Sequence, residues 1–411
     1  MATPPTTSSA SALARTISRA GTLMTAGPVG FTPRTHYEVS LNIPRSYYLG
    51  HHHAGLNKMR QSLTNVGLII ECRDFRLPLT SWNPLIEQSL GCAAEEERAR
   101  IIVYTKRDLA PDTEHTKQVA QYLREFYALP PPNSGVPYPP ELRRYAARAV
   151  LFLGSGRPPS HSSSLSPLLE IIKHYAISRD SLTGLRCMVV GMPNAGKSTL
   201  LNRLRAHGMG RFKKAAQTGS QPGVTRKLGT PVRILPGEDM EGGEPGLGEG
   251  VFVVDTPGVF MPYVSDPEAM VKLALVGCVK DGIVPKETLA DYLLYKLNLS
   301  DPFTYMRRLD LRRPTNDVNE FLHAVAFRMG KLAKGGKPNL EAAAEWVVQE
   351  WRRGDLGKVV LDEVTPETLV KAVAKSKEEV ISLSQARKRE KLARLAKREQ
   401  RFLGLAAPDD F

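Results

Sequence analysis

The sequence predicts an α/β fold, with a parallel-rich sheet flanked by helices, a phosphate-binding loop, and a following α-helical domain. Three observations support this prediction. An apolar run leads into Gly191-Met-Pro-Asn-Ala-Gly-Lys-Ser-Thr199 and then into a helical run, which is the strand–loop–helix order of a phosphate loop. Two more apolar runs, Ile101 to Tyr104 and Val251 to Val254, each end in a motif containing an Asp. Beyond Pro262 the pattern changes to helices separated by Pro and Gly.

The segment from Gly191 to Thr199 fits the pattern G-x-x-x-x-G-K-[ST]. Its two glycines let backbone N–H groups turn around phosphate oxygens, and the next helix points its positive end at the same anion. We expect Lys197 to bridge the outer phosphates and to act in catalysis, and the Ser198 hydroxyl to bind Mg²⁺. The expected nucleotide contacts in this loop are Asn194, Ala195, Gly196, Lys197, Ser198 and Thr199.

A second motif, Asp255-Thr-Pro-Gly258, follows the apolar run that ends at Val254. An Asp at the end of a parallel strand beside a phosphate loop can hold Mg²⁺ through water, and the Gly258 N–H can contact a γ-phosphate. Pro-Gly is also ordinary turn chemistry, so a plain turn is the alternative. The phosphate loop upstream favours the metal-binding interpretation.

A third motif, Thr105-Lys106-Arg-Asp108, ends the run from Ile101 and resembles the guanine-reading pattern N-K-x-D. A carboxylate at Asp108 accepts hydrogen bonds from N1–H and the exocyclic amine of guanine, whereas adenine lacks this donor pair. Thr replaces the usual Asn at position 105, which removes one amide that ties the loops together. An exposed loop with a chance Lys and Asp is the alternative.

The guanine-reading motif precedes the phosphate loop, which is the reverse of the usual order and indicates circular permutation. Permutation preserves a sheet when the original termini are close in space. The segment after Asp255 then runs directly into the C-terminal domain, so the nucleotide state can be passed on to that domain.

Together these motifs resemble the YlqF/RbgA family of circularly permuted ribosome-assembly GTPases, and most closely its mitochondrial branch. The resemblance covers residues 47 to 360 and includes, besides the three motifs, Tyr48-Leu-Gly-His51, Gly55-Leu-Asn-Lys-Met59, Ile69-Ile-Glu-Cys-Arg-Asp74, Asn83-Pro84, Pro222-Gly-Val-Thr-Arg226 and Gly354-Asp-Leu-Gly357. It implies a Mg²⁺-dependent GTPase that binds the mitochondrial large ribosomal subunit and its rRNA as an assembly factor. A nucleotide-gated rRNA-binding scaffold with little turnover is the alternative.

The resemblance also suggests roles for residues outside the clearest motifs. Thr225 is the candidate switch threonine, which would ligate Mg²⁺ only when a γ-phosphate is present; a generic Thr in a polar loop is the alternative. Gly154 and Ser155 occupy the place of the second guanine-contacting loop, although the sequence departs there from the family's S-A-K.

Val259 stands where Ras-like enzymes have a glutamine that orients the attacking water, and valine has no atom for that task. The chain therefore needs an additional catalytic group. The resemblance suggests His51, which aligns with a histidine implicated in hydrolysis, or K⁺ held near Asn194. Either predicts slow intrinsic hydrolysis and stimulation by the ribosomal partner.

Residues 1 to 37 contain no Asp or Glu, carry three Arg, and are rich in Ser, Thr and Ala. This composition is typical of a mitochondrial transit peptide, for which we expect cleavage in the first or second third. A disordered tail is the alternative. No apolar run approaches the length that a membrane span requires. We therefore expect the protein to lie in the mitochondrial matrix, with peripheral contact with the inner membrane as a further option.

The 411 residues, with a net charge of +14, allow two or three folded domains. We expect a transit peptide at 1–37, a GTPase domain at 38–262, an α-helical RNA-binding domain at 263–360 and a basic helical extension at 361–411. Pro236 to Gly250 is Gly- and Glu-rich and predicts a disordered hairpin tip.

The segment from Arg387 to Arg401 contains eight Lys or Arg and two Glu, with a narrow apolar stripe at Leu392, Leu395 and Phe402. Such a helix can neutralise several RNA phosphates. A solubilising or membrane-surface helix is the alternative.

Overall fold

The computed structural model describes residues 31–40, 42–47, 50–90, 99–128, 145–154, 165–210, 229–377 and 381–402. Its strands are β1 (Leu68–Asp74), β2 (Ala99–Thr105), β3 (Ala149–Phe152), β4 (Leu185–Gly191), β5 (Val232–Leu235) and β6 (Val251–Asp255). They form one sheet in the order β3-β2-β1-β4-β6-β5. The pairings are parallel except that of β5 with β6, which is antiparallel. The predicted α/β fold with a parallel-rich sheet is confirmed.

The sheet register brings the predicted motifs to one edge. Asp74 at the end of β1 pairs with Thr105 at the end of β2. Cys72 of β1 pairs with Gly191 at the end of β4. On the other side of β4, Val189 pairs with Asp255. Because carboxyl ends of parallel strands share an edge, motifs that are distant in sequence become neighbours there.

Helices cover both faces of this sheet. They are α1 (Gly50–Ser62), α2 (Pro84–Leu90), α3 (Glu114–Tyr127), α4 (Ser166–Arg179) and α5 (Lys197–Met209). Leu56, Met59 and Leu63 are buried, as their helical spacing predicts. The side chain of Thr113 accepts a hydrogen bond from the Thr116 N–H and so caps α3.

The helical domain contains α6 (Pro267–Leu275), α7 (Lys286–Ser300), α8 (Pro302–Leu309), α9 (Val318–Arg328) and α10 (Leu340–Arg353). Helix α10 packs against α7 and α9, and its Trp351 is fully buried. The same hydrophobic core includes Ile43, Met192 and Phe260 from the sheet-containing part of the chain. The two parts therefore share one core.

The chain then returns to the sheet through α11 (Pro366–Lys377), before α12 (Leu383–Phe402). Leu369 and Val373 of α11 are buried in a cluster with Phe75, which lies at the end of β1. The Asp362 carboxylate accepts hydrogen bonds from the backbone N–H groups of Leu79 and Thr80. Residues 361–377 of the expected basic extension thus pack against the sheet-containing domain.

Residues 31–37, at the end of the predicted transit peptide, pack against the helical domain. Arg34 forms an ion pair of 2.7 Å with Asp291 of α7. Tyr37 lies edge-to-face against Tyr292, with ring centroids 5.1 Å apart. Cleavage in the first or second third of residues 1–37 would leave these contacts intact.

The prediction of disorder between Pro236 and Gly250 is wrong. This segment forms a series of turns between β5 and β6, and Leu247 is buried in a core that includes residues of α4. Gly248 approaches the chain so closely that a Cβ would lie 2.1 Å from the Ser181 carbonyl oxygen. The glycines therefore permit close packing here, and their number does not indicate disorder.

A network of buried charges joins β1, β2 and α2. Arg73 donates to Glu71 at 2.6 Å and to Glu87 at 3.2 Å, and Arg100 pairs with the same two carboxylates. All four side chains are at most 3% exposed. Burial alone would raise the pKa of Glu71, but the charges of Arg100 and Arg73 outweigh it and lower that pKa to about 2.

We expect Glu71→Gln to lower the free energy of unfolding by about 3–5 kcal/mol, because it leaves Arg73 and Arg100 sharing one carboxylate in the interior. The Glu71 contribution is present above the carboxylate's ordinary pKa of 4.5 and is lost as the pH falls toward 2. Urea unfolding at pH 7 measures the change. Glu114→Gln is the control, because Glu114 is 89% exposed in its pair with Lys117. Equal stability of both variants would contradict the expected role of the network.

Candidate nucleotide-binding site

The loop between β4 and α5 has the backbone of a phosphate-binding loop. Gly191, Asn194 and Gly196 have φ angles of 146°, 57° and 85°. A Cβ on Gly191 would lie 2.3 Å from the Cys72 carbonyl oxygen, so only glycine fits there. Asn is among the few side chains that tolerate a left-handed conformation. The sequence pattern thus reflects a backbone that other residues cannot adopt without strain.

Lys197 lies buried at the start of α5, and its ammonium group contacts the loop. It donates to the Met192 carbonyl at 2.8 Å and to the Gly191 carbonyl at 3.3 Å. Burial lowers the pKa of Lys197, while the charge of Asp255 acts in the opposite direction. Thr199 follows in the first turn of α5 and is exposed. A phosphate chain in the loop would offer the ammonium group stronger acceptors than these carbonyls.

The Ser198 hydroxyl donates to Oδ2 of Asp255 at 2.5 Å. Asp255 ends β6 and is 3% exposed. A hydroxyl and a carboxylate are the hard oxygen donors that Mg²⁺ prefers, and this ion takes few protein ligands when phosphates supply others. The pair therefore fits the predicted Mg²⁺ site. In the part of the chain that the structure describes, no group of three or more His, Cys, Asp or Glu could hold a metal ion without such help.

The turn after β6 is held against the phosphate loop. The Thr256 hydroxyl donates to the Val189 carbonyl at 2.7 Å, and a Cβ on Gly258 would lie 2.6 Å from Pro193 atoms. Val259 is 1% exposed, and its N–H donates to the Gly191 carbonyl at 3.3 Å. The Val259 side chain is therefore part of the core and is not available at the nucleotide.

Thr105 ties the base-reading motif to the phosphate loop. Its hydroxyl contacts the Ala195 carbonyl at 2.9 Å and the Arg73 carbonyl at 3.2 Å. Substitution of the usual Asn was expected to remove a tie between the loops, but the shorter hydroxyl provides one. A Cβ on Gly196 would lie 3.4 Å from the same hydroxyl, which shows how closely the loops approach.

Lys106 makes the second connection between these loops. It has a left-handed backbone, with φ of 59°, and its ammonium group donates to the Asn194 carbonyl at 2.7 Å and to Asp74 at 2.9 Å. Burial lowers the pKa of Lys106, and Asp74 opposes that shift. The ammonium group thus bridges the ends of β1 and β2 to the phosphate loop.

Arg203, which belongs to none of the motifs, lies near both Asp108 and Gly154. Asp108 lies in a 3-10 turn, Arg107–Leu109. Arg203 of α5 donates to the Gly154 carbonyl at 2.7 Å. Burial lowers the pKa of Arg203, and the nearby charge of Asp108 raises it. Arg203 therefore binds the loop after β3 and lies close enough to Asp108 for their charges to interact.

Asp74 and Arg76 also lie at this site, although none of the sequence motifs assigns them a role. Asp74 accepts from Arg76 Nε at 3.0 Å as well as from Lys106. Burial would raise the pKa of Asp74, but Arg76 and Lys106 hold it well below its usual range. A carboxylate at the carboxyl end of a buried strand next to β4 is a signal that could have identified it.

Three expected site residues are not placed by side-chain geometry. Thr225 and Ser155 lie outside the described residues. His51 belongs to α1, but its side chain also lies outside the description. One helical turn later, Gly55 approaches the turn after β6, where a Cβ would lie 3.3 Å from Pro257. The backbone of α1 therefore runs beside the Asp255–Gly258 motif.

Asn194, near which we expect K⁺, is hydrogen-bonded to a residue of the helical domain. Its side-chain nitrogen donates to the Val276 carbonyl at 2.8 Å, just after α6. The sequence gave no indication of this contact, because no pattern relates the phosphate loop to the end of α6. It connects the loop with the helical domain.

The chain is similar to several known proteins. The family model described as "50S ribosome-binding GTPase" matches residues 186–298. The chain is similar to "Mitochondrial GTPase 1" of Schizosaccharomyces japonicus, with 36% identity over 78% of this chain and 91% of that protein. A protein of the same name in Schizosaccharomyces pombe is 34% identical over 83% of this chain and 96% of that protein.

"Mitochondrial ribosome-associated GTPase 1" of Mus musculus is 33% identical over 77% of this chain and 89% of that protein. Among solved structures, the GNP-bound YlqF from T. maritima is similar at 22% identity. The similarity covers 75% of this chain and 97% of that one, with a TM-score of 0.42.

We expect Thr105→Val to weaken guanine-nucleotide binding about 5- to 30-fold, because the Ala195 and Arg73 carbonyls lose their shared donor without a change in side-chain shape. Titration with a fluorescent GDP analogue measures the dissociation constant. Thr183→Val, at an exposed position, is the matched control. Unchanged affinity in Thr105→Val would show that the tie between the loops is dispensable.

Proposed function

The chain belongs to the YlqF/RbgA-like family of circularly permuted GTPases, and we propose that it acts as an assembly factor on the mitochondrial large ribosomal subunit. As a GTPase it hydrolyses GTP to GDP and phosphate. The observation that carries the nucleotide-binding part of this proposal is the direct bonding of the guanine-reading motif to the phosphate loop, through Thr105 to the Ala195 carbonyl and Lys106 to the Asn194 carbonyl. One nucleotide can therefore contact both.

The names of similar proteins support the ribosomal partner, and these names together with the composition of residues 1–37 support the mitochondrial compartment. Relatives carry the words "mitochondrial" and "ribosome-associated", and the matching family model carries "50S ribosome-binding". The acid-free segment 1–37 is consistent with import into mitochondria. We assign the mitochondrial matrix as the site of action, with peripheral contact with the inner membrane as a further option. Within the described ranges no helix could cross a membrane.

In the proposed mechanism, this chain first selects and orients guanine. The Asp108 carboxylate accepts hydrogen bonds from the N1–H and the exocyclic amine of the base. Lys106 and Thr105 hold the base-reading turn against the phosphate loop. We assign the remaining base contacts to Gly154, which follows β3, and to Ser155. The position of the base is thereby fixed relative to Lys197.

The phosphates are then held by Lys197 and the loop N–H groups, including those of Ala195, Gly196 and Thr199. Mg²⁺, when bound, neutralises charge on the β- and γ-phosphates. Ser198 and Asp255 are the residues that would hold it, joined by Thr225 when a γ-phosphate is present. The Gly258 N–H then contacts the γ-phosphate, because Gly258 packs directly on Pro193 of the loop.

Positioning of the attacking water requires a group other than Val259, which is buried in the core. We assign this task to His51 or to K⁺ near Asn194. The α1 backbone supports the first option, since Gly55 packs on Pro257 of the Asp255–Gly258 motif. Docking on the ribosomal subunit would complete the site, so hydrolysis would be coupled to the partner.

Basic elements of the C-terminal region fit an rRNA partner. Helix α12 exposes Leu392 and Leu395, which are 56% and 45% accessible, among basic residues. Arg45, Arg387 and Arg394 line one cavity of about 490 Å³ between α12 and the N-terminal segment. Several cations on one surface provide salt-sensitive affinity for phosphodiesters. Arg312, Arg313 and the loop at 331–337 extend the basic surface on the helical domain.

We expect Asp108→Asn to change the preferred base from guanine to xanthine. The amide presents an N–H to the C2 carbonyl that xanthine has in place of the guanine amine, so affinity for GTP falls about 10- to 100-fold while affinity for XTP rises. Competition titrations with both nucleotides measure this exchange. Asp112→Asn is the control, because Asp112 is 85% exposed. Equal loss of both nucleotides would mean that Asp108 does not read the base.

We expect slow GTP turnover by the protein alone, and turnover at least about tenfold faster with mitochondrial large subunits in KCl. Phosphate release is measured with and without subunits, in KCl and in NaCl. If His51 supplies the missing group, His51→Ala removes the stimulation in both salts. If K⁺ supplies it, NaCl removes the stimulation in the wild type.

Lys197→Ala, which should lose nucleotide binding, is the negative control for this measurement. Fast turnover without subunits would overturn the proposed dependence on the partner. A hydrolysis-defective variant that binds GTP and still supports subunit assembly would favour the nucleotide-gated scaffold instead.

A further inference from the structure

The turn that follows α6, residues Val276 to Cys278, contacts the phosphate loop directly. The Val276 carbonyl accepts from the side-chain nitrogen of Asn194 at 2.8 Å. The Cys278 thiol donates to the Pro193 carbonyl at 3.1 Å. Both contacts are to residues that precede Gly196 in the loop. We call Val276–Cys278 the contact turn.

Gly277, in the middle of the contact turn, lies between the phosphate loop and α10. Its φ of 82° is unfavourable for other residues. A Cβ there would lie 2.8 Å from Nδ2 of Asn194 and 3.5 Å from the guanidinium carbon of Arg352. The Asn194 amide and the Arg352 guanidinium thus both approach Gly277 on the side where a side chain would lie.

Arg352, in the last turn of α10, binds the end of α6, where the contact turn begins. Its Nε donates to the Leu275 carbonyl and one terminal nitrogen to the Ala274 carbonyl, both at 2.9 Å. The same nitrogen pairs with Asp281 at 3.0 Å. The Arg352 side chain is 11% exposed. A planar guanidinium can bind both sides of a turn in fixed geometry, which a flexible ammonium group cannot do equally well.

The end of α10 also contacts the base-reading turn. A Cβ on Gly354 would lie 2.9 Å from Cδ2 of Leu109, the residue after Asp108. Two residues of one helix end therefore approach the nucleotide site from opposite ends. Arg352 acts through the contact turn on the phosphate loop, and Gly354 lies against the base-reading loop.

We propose that Arg352 is a positioning residue for nucleotide binding, which acts through the contact turn to fix Asn194 and the phosphate loop. This inference rests on the proposed nucleotide site and adds a residue of the helical domain to it. Movement of α10 relative to the sheet would change the conformation of the phosphate loop through this route. The helical domain thereby sets the affinity for guanine nucleotide.

The test compares Arg352→Met with Arg353→Met in the full chain. Met keeps the unbranched stem but removes the guanidinium group. Arg353 is the matched control, because it is adjacent, 56% exposed and paired with Glu350 of its own helix. We expect Arg352→Met to weaken binding of a fluorescent GDP analogue about 5- to 20-fold, and Arg353→Met to leave it within twofold. Arg352→Lys should fall between Arg352→Met and the wild type.

A double-mutant cycle with Asn194→Ala distinguishes positioning from general destabilisation. If Arg352 acts through Asn194, the double variant binds nucleotide no more weakly than Asn194→Ala alone. Additive losses would overturn the proposal. So would a dissociation constant for Arg352→Met equal to that of the wild type.

If Arg352→Met lowers the melting temperature too far to measure binding, Gly277→Ala tests the same route, because its Cβ would displace the Asn194 amide. Unchanged nucleotide affinity in Gly277→Ala would also overturn the proposal. Failure of the wild type to bind guanine nucleotide would instead overturn the proposed function. The two failures are therefore distinguishable.

Discussion

The hydrogen bonds from Thr105 and Lys106 to the carbonyls of Ala195 and Asn194 are the contacts on which the site depends. They join the end of β2 to the loop after β4, although β1 lies between these strands. The buried Asp74 at the end of β1 completes the connection by accepting from Lys106. Three strand ends thus form one nucleotide-binding edge, despite the permuted order of their motifs.

Permutation has a mechanical consequence that is visible in the packing. After the Asp255–Gly258 motif the chain passes directly into α6, whose end returns to the phosphate loop at Val276. Residues 361–377 then pack beside β1 and β2. The chain is therefore attached to the sheet-containing domain on both sides of the helical domain. A partner bound to the helices acts on a body that shares its core with the phosphate loop.

Buried charges lie beside this edge. The Glu71, Arg73, Glu87 and Arg100 network joins β1, β2 and α2, and its Arg73 is adjacent to Asp74, so loss of one carboxylate leaves cations buried next to the end of β1. Ras-like enzymes have a glutamine that orients the attacking water. This chain has Val259 at that position, and the Val259 side chain is buried in the core.

The sequence by itself determined the α/β class, the phosphate loop and the permuted order, because glycine backbone freedom and parallel-strand ends leave local patterns. It also predicted helices separated by Pro and Gly beyond Pro262, and α6 to α10 lie there. Only the tertiary structure decided that Thr105 retains the tie between loops, that the Gly-rich segment at Pro236–Gly250 is packed, and that Arg203 and Arg352 bind Gly154 and the end of α6. These depend on contacts between residues far apart in the chain, for which no local spacing provides a signal.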